Sequence, residues 1–214
     1  MVIEHRFSGV NPAVGLFRSA SNELEALFGN RFLPAPVAAV VFDVDFSPGR
    51  DLTYLLSARP QLASVRPGDS VRVTLGLRDF RGNDSEAVLT VGIPEPTPEG
   101  RLRIVIAPPD SLLALEVTRA PGRLEPSSFA GLLDLLSQTG REYELVAAGF
   151  SAQPGLTLAG KELPAPPPSL RSVLLNPRSD EQVIPTNESP VFRQTFDLGR
   201  VISGVARLDV EVKR

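Results

Sequence analysis

Residue types that could carry catalysis are sparse in this chain. A Ser-His-acid triad needs an imidazole to take the hydroxyl proton, and His5 is the only histidine. It sits in an alternating stretch, Val2 to Phe7, with Ile3, His5 and Phe7 on one face, so its ring points toward an apolar side. No Gly-x-Ser-x-Gly elbow accompanies it, and His5 reads as a structural or surface histidine. A Ser-Lys dyad would have to draw on Lys161 or Lys213, the only lysines, and both lie in segments that read as exposed. Cysteine is absent, which excludes disulfides, thiolate metal sites and cysteine nucleophiles. No catalytic residue is expected, and the chain is read as a non-enzyme.

Metal and phosphate chemistry have equally thin support. Asp43 and Asp45 project from one side of an alternating segment, and Asp51 follows in the next turn, a trio that suits a hard cation such as calcium. Calcium takes about six to eight oxygens, however, and no Asp-x-Asp-x-Asp-Gly loop is present, so a solvated face is the simpler reading. Asp79, Asn83 and Asp84 read as ordinary turn residues. Gly149-Phe150-Ser151 and Gly199-Arg200 lack the repeated glycines or Lys-Ser/Thr of a phosphate loop, so no cofactor is expected. Leu132-Leu133 and Leu135-Leu136 read as core rather than a partner stripe, and Leu55-Leu56 as a strand buried on both faces.

The frame that must position these residues is that of a folded protein. The chain has 214 residues, 42% hydrophobic and 22% charged, far from the composition of disorder, and long enough for one large domain or two small ones. Its 21 prolines punctuate elements. A net charge of −3 leaves no basic stripe for a phosphate backbone, so nucleic acid is not an expected partner. No apolar run approaches the roughly 18 residues of a membrane span, and the opening Met1 to Phe7 lacks a signal peptide's apolar middle.

Read for elements, Val2 to Phe7 is a short strand. Asn11-Pro12 then opens an amphipathic helix over 12–28 that Gly29-Asn30 ends in a left-handed stop. The alternation of Ala38, Val40, Phe42, Val44 and Phe46 predicts a strand over 37–46, turning at Ser47 to Arg50 into a partner strand over Leu52 to Ser57, both packed on that helix. Arg66-Pro67-Gly68-Asp69 is a turn into a half-buried strand with Val71, Val73, Leu75 and Leu77 inward, and Arg81 to Asp84 turns it back through Glu86 to Val91. Pro94 to Gly100 reads as a stiff exposed connection before a strand over Leu102 to Ile106. Helices are expected after Asp110-Ser111 and after Ser127, the latter ending at Gly140. A strand through Tyr143, Leu145 and Ala147 follows, then a short helix at Leu170 to Leu175 behind a Pro-rich lead-in, a mobile loop over Asn176 to Ser189, and closing strands over Val191 to Phe196 and Ser203 to Val212.

The run Val65-Arg66-Pro67-Gly68-Asp69-Ser70-Val71-Arg72-Val73-Thr74-Leu75-Gly76-Leu77-Arg78-Asp79-Phe80-Arg81-Gly82 resembles the C-terminal extension of large bacterial proteins that carry a SpoIVB-type serine peptidase domain. Matching pieces recur in the same order: Asn30-Arg31-Phe32 after the helix, Ile93-Pro94, Leu163-Pro164-Ala165-Pro166-Pro167-Pro168-Ser169 and Val201-Ile202-Ser203-Gly204. The resemblance implies a β-rich part beyond the peptidase, of an exported or cell-envelope protein, with the proteolytic Ser and His upstream and no catalytic residue to carry over.

The expected fold is therefore α+β, mostly β, with an Ig-like antiparallel sandwich from about Ser64 to Ala107, flanking helices and closing strands. Residues 1–63 form a helix-plus-hairpin region that either folds separately or joins 64–214, a β-sandwich-like region with two or three short helices. The expected role is non-catalytic: an accessory or binding domain acting through protein contacts, with its own peptidase domain or an envelope partner. The alternatives are a self-assembling envelope component pairing exposed edges such as its last strand, and a hydrolase with an unrecognised site.

Overall fold

The computed structural model describes residues 5–8, 11–34, 39–137, 143–158, 160–176 and 183–213. The centre of the fold is the alternation around the Pro67-Gly68 turn. Gly68 takes φ +86, a conformation that glycine adopts without a Cβ penalty. The chain then enters β3 (Ser70–Asp79), whose Val71, Val73, Leu75 and Leu77 are all buried. Asp79 closes the next turn, its carboxylate accepting from the backbone N–H of Arg81 and of Asn83 and from Asn83 Nδ2. The chain returns antiparallel as β4 (Asp84–Gly92), with Leu89 and Val91 on the same inner face.

Two sheets pack around one core. The first has the order β11-β1-β3-β4, with β1 (Leu52–Pro60) antiparallel to β3 and β11 (Val201–Ser203) parallel to β1. The second has the order β10-β6-β5-β12-β2, from β10 (Ser189–Asp197), β6 (Glu144–Ser151), β5 (Gly100–Ala107), β12 (Ala206–Val212) and β2 (Ser64–Val65). Val73, Leu75 and Val91 of the first sheet share one cluster with Leu102, Ile104, Leu145, Leu208 and Val210 of the second. A third small sheet, β8-β7-β9, joins β7 (Gly155–Leu158), β8 (Lys161–Leu163) and β9 (Val183–Thr186).

The second sheet is covered on its other face too. α2 (Pro109–Arg119) starts with proline in its first turn and buries Leu112 against Val105, Ala107, Val146, Ala148 and Phe150. This explains why Leu145 to Ser151 of β6 are buried without alternation: each side chain meets either the inner core or the helix layer. Where Phe192 of β10 lies opposite Gly149, a Cβ on the glycine would fall 2.3 Å from the ring, so only glycine lets that ring lie on the strand. α3 (Phe129–Leu136) is capped by Ser128, whose Oγ accepts from the N–H of Gly131, and turns Leu132 and Leu136 inward, as the core reading of its leucines expects.

The fold is α+β and mostly β, and α1 (Pro12–Phe28) and α4 (Pro168–Leu174) stand where the sequence places helices. Several local expectations are overturned. β6, β10, β11 and β12 fall within the 64–214 region read as sandwich-like, but β1 joins the first sheet from outside it, and two of the pairings, β1 with β11 and β12 with β2, are parallel rather than antiparallel. Residues 39–46 are unpaired and exposed rather than a strand, because β1 takes β3 and β11 as its neighbours and leaves this segment no hairpin partner, and Val37 and Ala38 lie outside the described residues. α1 has no buried residue, and Gly29 ends it at φ −84, not in the left-handed region. Asn11 makes no side-chain cap bond, and residues 5–8 form no strand, while Val2 to Glu4 and Gly140 lie outside the described residues.

The remaining differences are in burial and pairing. Leu56 is exposed while Leu55 is buried. Within Pro94 to Gly100, Thr97 is buried, its Oγ1 donating to the carbonyl of Pro94. The stretch Asn176 to Ser189 contains β9 and the start of β10, with Thr186 and Ser189 buried, and its residues 177–182 lie outside the described residues. The last strand does not end its sheet: β12 pairs with β5 over Ala206–Val212 and, on its other side, with β2 at Glu211 and Val212.

Candidate functional site

The most developed polar cluster is built where α2, the turn after it, β8 and β10 meet on the outer face of the second sheet. Helical spacing from Leu112 carries Glu116 and then Arg119 toward the sheet, and Arg123 follows in the turn closed by Gly122 at φ +82. Arg119 grips Glu162 of β8 with both ends of its guanidinium, Nη1 to Oε1 at 2.5 Å and Nη2 to Oε2 at 2.8 Å. Its Nη1 also donates to the carbonyl of Glu188 at 3.3 Å, and the guanidinium lies 4.6 Å over the ring of Phe150. Arg123 donates to Glu116 and brings its Nε within 3.8 Å of Glu162, while Arg193 of β10 stands 3.8 Å from Glu116. Arg103 of β5 pairs with Glu188 at the rim.

Both carboxylates are almost wholly buried, at 6% side-chain exposure each. Three guanidiniums surround them, leaving the inner cluster with one excess positive charge. Burial pushes Arg123 below the ordinary arginine range, opposed by the attraction of Glu162 and reinforced by the nearby Arg193, and burial likewise lowers Arg193. A charge removed from water is tolerated only when paired and hydrogen-bonded. The cluster therefore acts as a polar joint that fixes α2 against β8 and β10.

Two clefts open on either side of that joint. One, about 570 Å³, lies between α2 and the sheet, with Leu112, Leu115 and Phe150 as apolar walls and Arg103, Arg207 and Glu188 at its rim. The other, about 650 Å³, runs between α3 and β10 and is lined by Leu135, Phe192, Arg193 and Glu162 among others. Glu116 and Phe150 contribute to both.

Phe150, weighed with the phosphate-loop run, lies under the Arg119 guanidinium, and none of the candidate catalytic or metal-binding residues lies in the joint. Asp43 and Asp45 sit on the exposed unpaired segment 39–46. Asp51 is held elsewhere, its backbone N–H donating to Ser8 Oγ and its carboxylate 3.5 Å from Arg6. Among the described residues no group of three or more His, Asp or Glu side chains stands close enough to hold a metal ion. His5 has a side chain only 7% exposed, 2.6 Å from Glu23 of α1 and stacked on Phe7. Lys213 is exposed, and so is Lys161, which lines the second cleft beside Glu162. Sequence reasoning missed the joint. Its one local signal is that Glu116, Arg119 and Arg123 continue the helical face begun by Leu112.

No protein-family model matches the chain, and no curated protein or solved structure is significantly similar to it. Among the described residues no helix is long and apolar enough to cross a membrane.

Proposed function

We propose that this chain is a non-catalytic binding module that works through protein contacts, the accessory extension of an exported, cell-envelope protein of the SpoIVB-peptidase type. The observation that supports this reading is α1, a seventeen-residue helix without a buried residue that presents Val14, Phe17 and Phe28 to solvent, Phe17 at 64% exposure. A helix with an apolar face stays folded by burying that face, and apolar surface left outside a core marks contact with another protein. In the proteins this sequence resembles, the peptidase domain precedes the β-rich part, so α1 stands on the side of the chain that meets it. The buried joint supports the same reading, since its carboxylates are clasped by guanidiniums that hold elements together.

The experiment is a titration of a recombinant SpoIVB-type peptidase domain into this chain by calorimetry, beside treatment of the chain alone with a reactive serine probe. Saturable binding that Phe17→Asp abolishes is the expected result. An absence of binding, or covalent labelling of a serine in the folded chain, overturns the proposal.

A further inference from the structure

An unused strand and an unused strand edge occur in the same molecule. Residues 39–46, Ala-Val-Val-Phe-Asp-Val-Asp-Phe, have the alternation of a half-buried strand, yet every one of them is exposed and none is paired. Val41 is 85% and Phe46 72% exposed, and Val40, Phe42 and Val44 are exposed with them. β-branched and aromatic residues in this pattern have high strand propensity and gain little from water.

The receiving edge is identified by elimination and by register. Four strands end the two large sheets, β11, β4, β10 and β2. β11 has three residues and β2 has two, too short to hold a partner. β10 carries Pro190 and a register shift between Pro190 and Phe192, the devices by which natural edges resist pairing. β4 has nine residues, no proline, no lysine and no register shift against β3.

The bonds at its end show which β4 groups face outward. Gly92 gives its N–H to Gln194 Oε1 at 3.0 Å, and its carbonyl accepts from Gln194 Nε2 at 2.7 Å, so both groups point away from β3. Ile93, the next residue, donates back to Asp69 instead. Antiparallel pairing alternates along the strand, so Glu86, Val88 and Thr90 also turn their backbone groups outward. The side chain of Gln194 plugs the far end of this edge, and the stretch from Asp84 to Thr90 is left open among the described residues, about the length of the 39–46 segment.

We propose that residues 39–46 of one copy add as a strand to β4 of a second copy, and the reverse, closing a two-fold dimer. The same-chain alternative is opposed by the bend in the connection to β1. A strand outside β4 would lie three inter-strand spacings from β1, roughly 14 Å. Residues Ser47–Asp51 join the two strands through six Cα steps, a reach of roughly 20 Å that only a fully extended chain attains. They are bent at Pro48-Gly49, with Gly49 at φ +106, and Asp51 is tied to Ser8 and Arg6. A second copy meets no such restraint. Reciprocal exchange satisfies both edges at once, as a closed symmetric interface requires, and continues the inner face of Ala87, Leu89 and Val91 with Val40, Phe42, Val44 and Phe46. This inference does not depend on a peptidase partner.

The test is light-scattering mass across the micromolar range, beside far-ultraviolet circular dichroism. The expected mass is twice the 23.0 kDa of the chain. Val88→Pro removes an outward N–H that makes no bond to β3, and Phe42→Asp places a charge on an exposed segment. Each variant is expected to halve the mass, with the dichroism losing no more than the strand signal of the released 39–46 segments. A monomeric parent chain at all concentrations overturns the proposal, and so does a dimer that survives either substitution. Peptidase binding, measured on the monomeric variants, reports on the proposed function separately.

Discussion

Removing one side of the Arg119–Glu162 pair should cost far more than removing both. Glu162 is 6% exposed at its side chain and accepts two bonds from Arg119, with Arg123 at 3.8 Å. Glu162→Leu leaves Arg119 buried without its counter-charge, a change worth about 3–5 kcal/mol. For a chain of this size that lowers Tm by roughly 6–20 °C, at about 2–4 °C per kcal/mol. Arg119→Leu strands Glu162 with only the longer Arg123 contact, and also gives up the stacking on Phe150. In the double variant Arg119→Leu/Glu162→Leu the desolvation cost disappears with the charges and Glu116 keeps Arg123, so the total loss should be only about 1–2 kcal/mol, mostly the cation–π contact. Urea unfolding of the four proteins with a common m-value gives the coupling directly. If the two single losses simply add in the double variant, the pair is not a coupled buried unit and the account of the joint is wrong.

Gln194→Ala should lower stability by about 1–3 kcal/mol, since it strips two bonds from the backbone of Gly92 where the edges of the two large sheets meet; a urea midpoint equal to that of the parent chain would remove Gln194 as the bridge. Stability should also fall on acidification. The bond from Arg78 holds Asp84 below the ordinary carboxylate range, the bond from Arg101 does the same for Asp209, and the Asn83 side chain does so for Asp79. A carboxyl group whose pKa is depressed by folding contributes its stability above the unfolded value of about 3.9 and loses it as pH falls through the folded value, so the urea midpoint should decline below about pH 4 and less steeply in Asp209→Asn. A decline of equal slope in that variant would show that Asp209 takes no part.

What could be read from residue order alone was whatever two short-range rules cover. Turn chemistry at Pro67-Gly68 and Asp79–Asp84 and the alternation of Val71 to Leu77 located β3 and β4, and helical spacing located α1, because each depends on neighbours within a few residues. The mostly β, α+β class followed from the sum of such segments. Pairing obeyed no local rule. The alternation of residues 39–46 is as regular as that of β3, yet β3 found two neighbours and this segment none, since a strand exists only when another offers it hydrogen bonds. The joint was hidden for the same reason. Glu116 and Arg119 look like the solvated side of a helix until Glu162 and Arg193, 46 and 77 residues beyond Glu116, are folded over them. Local sequence decided which segments favour helix or strand, and tertiary structure alone decided which strands paired and which charges left water, because both depend on groups brought together only by folding.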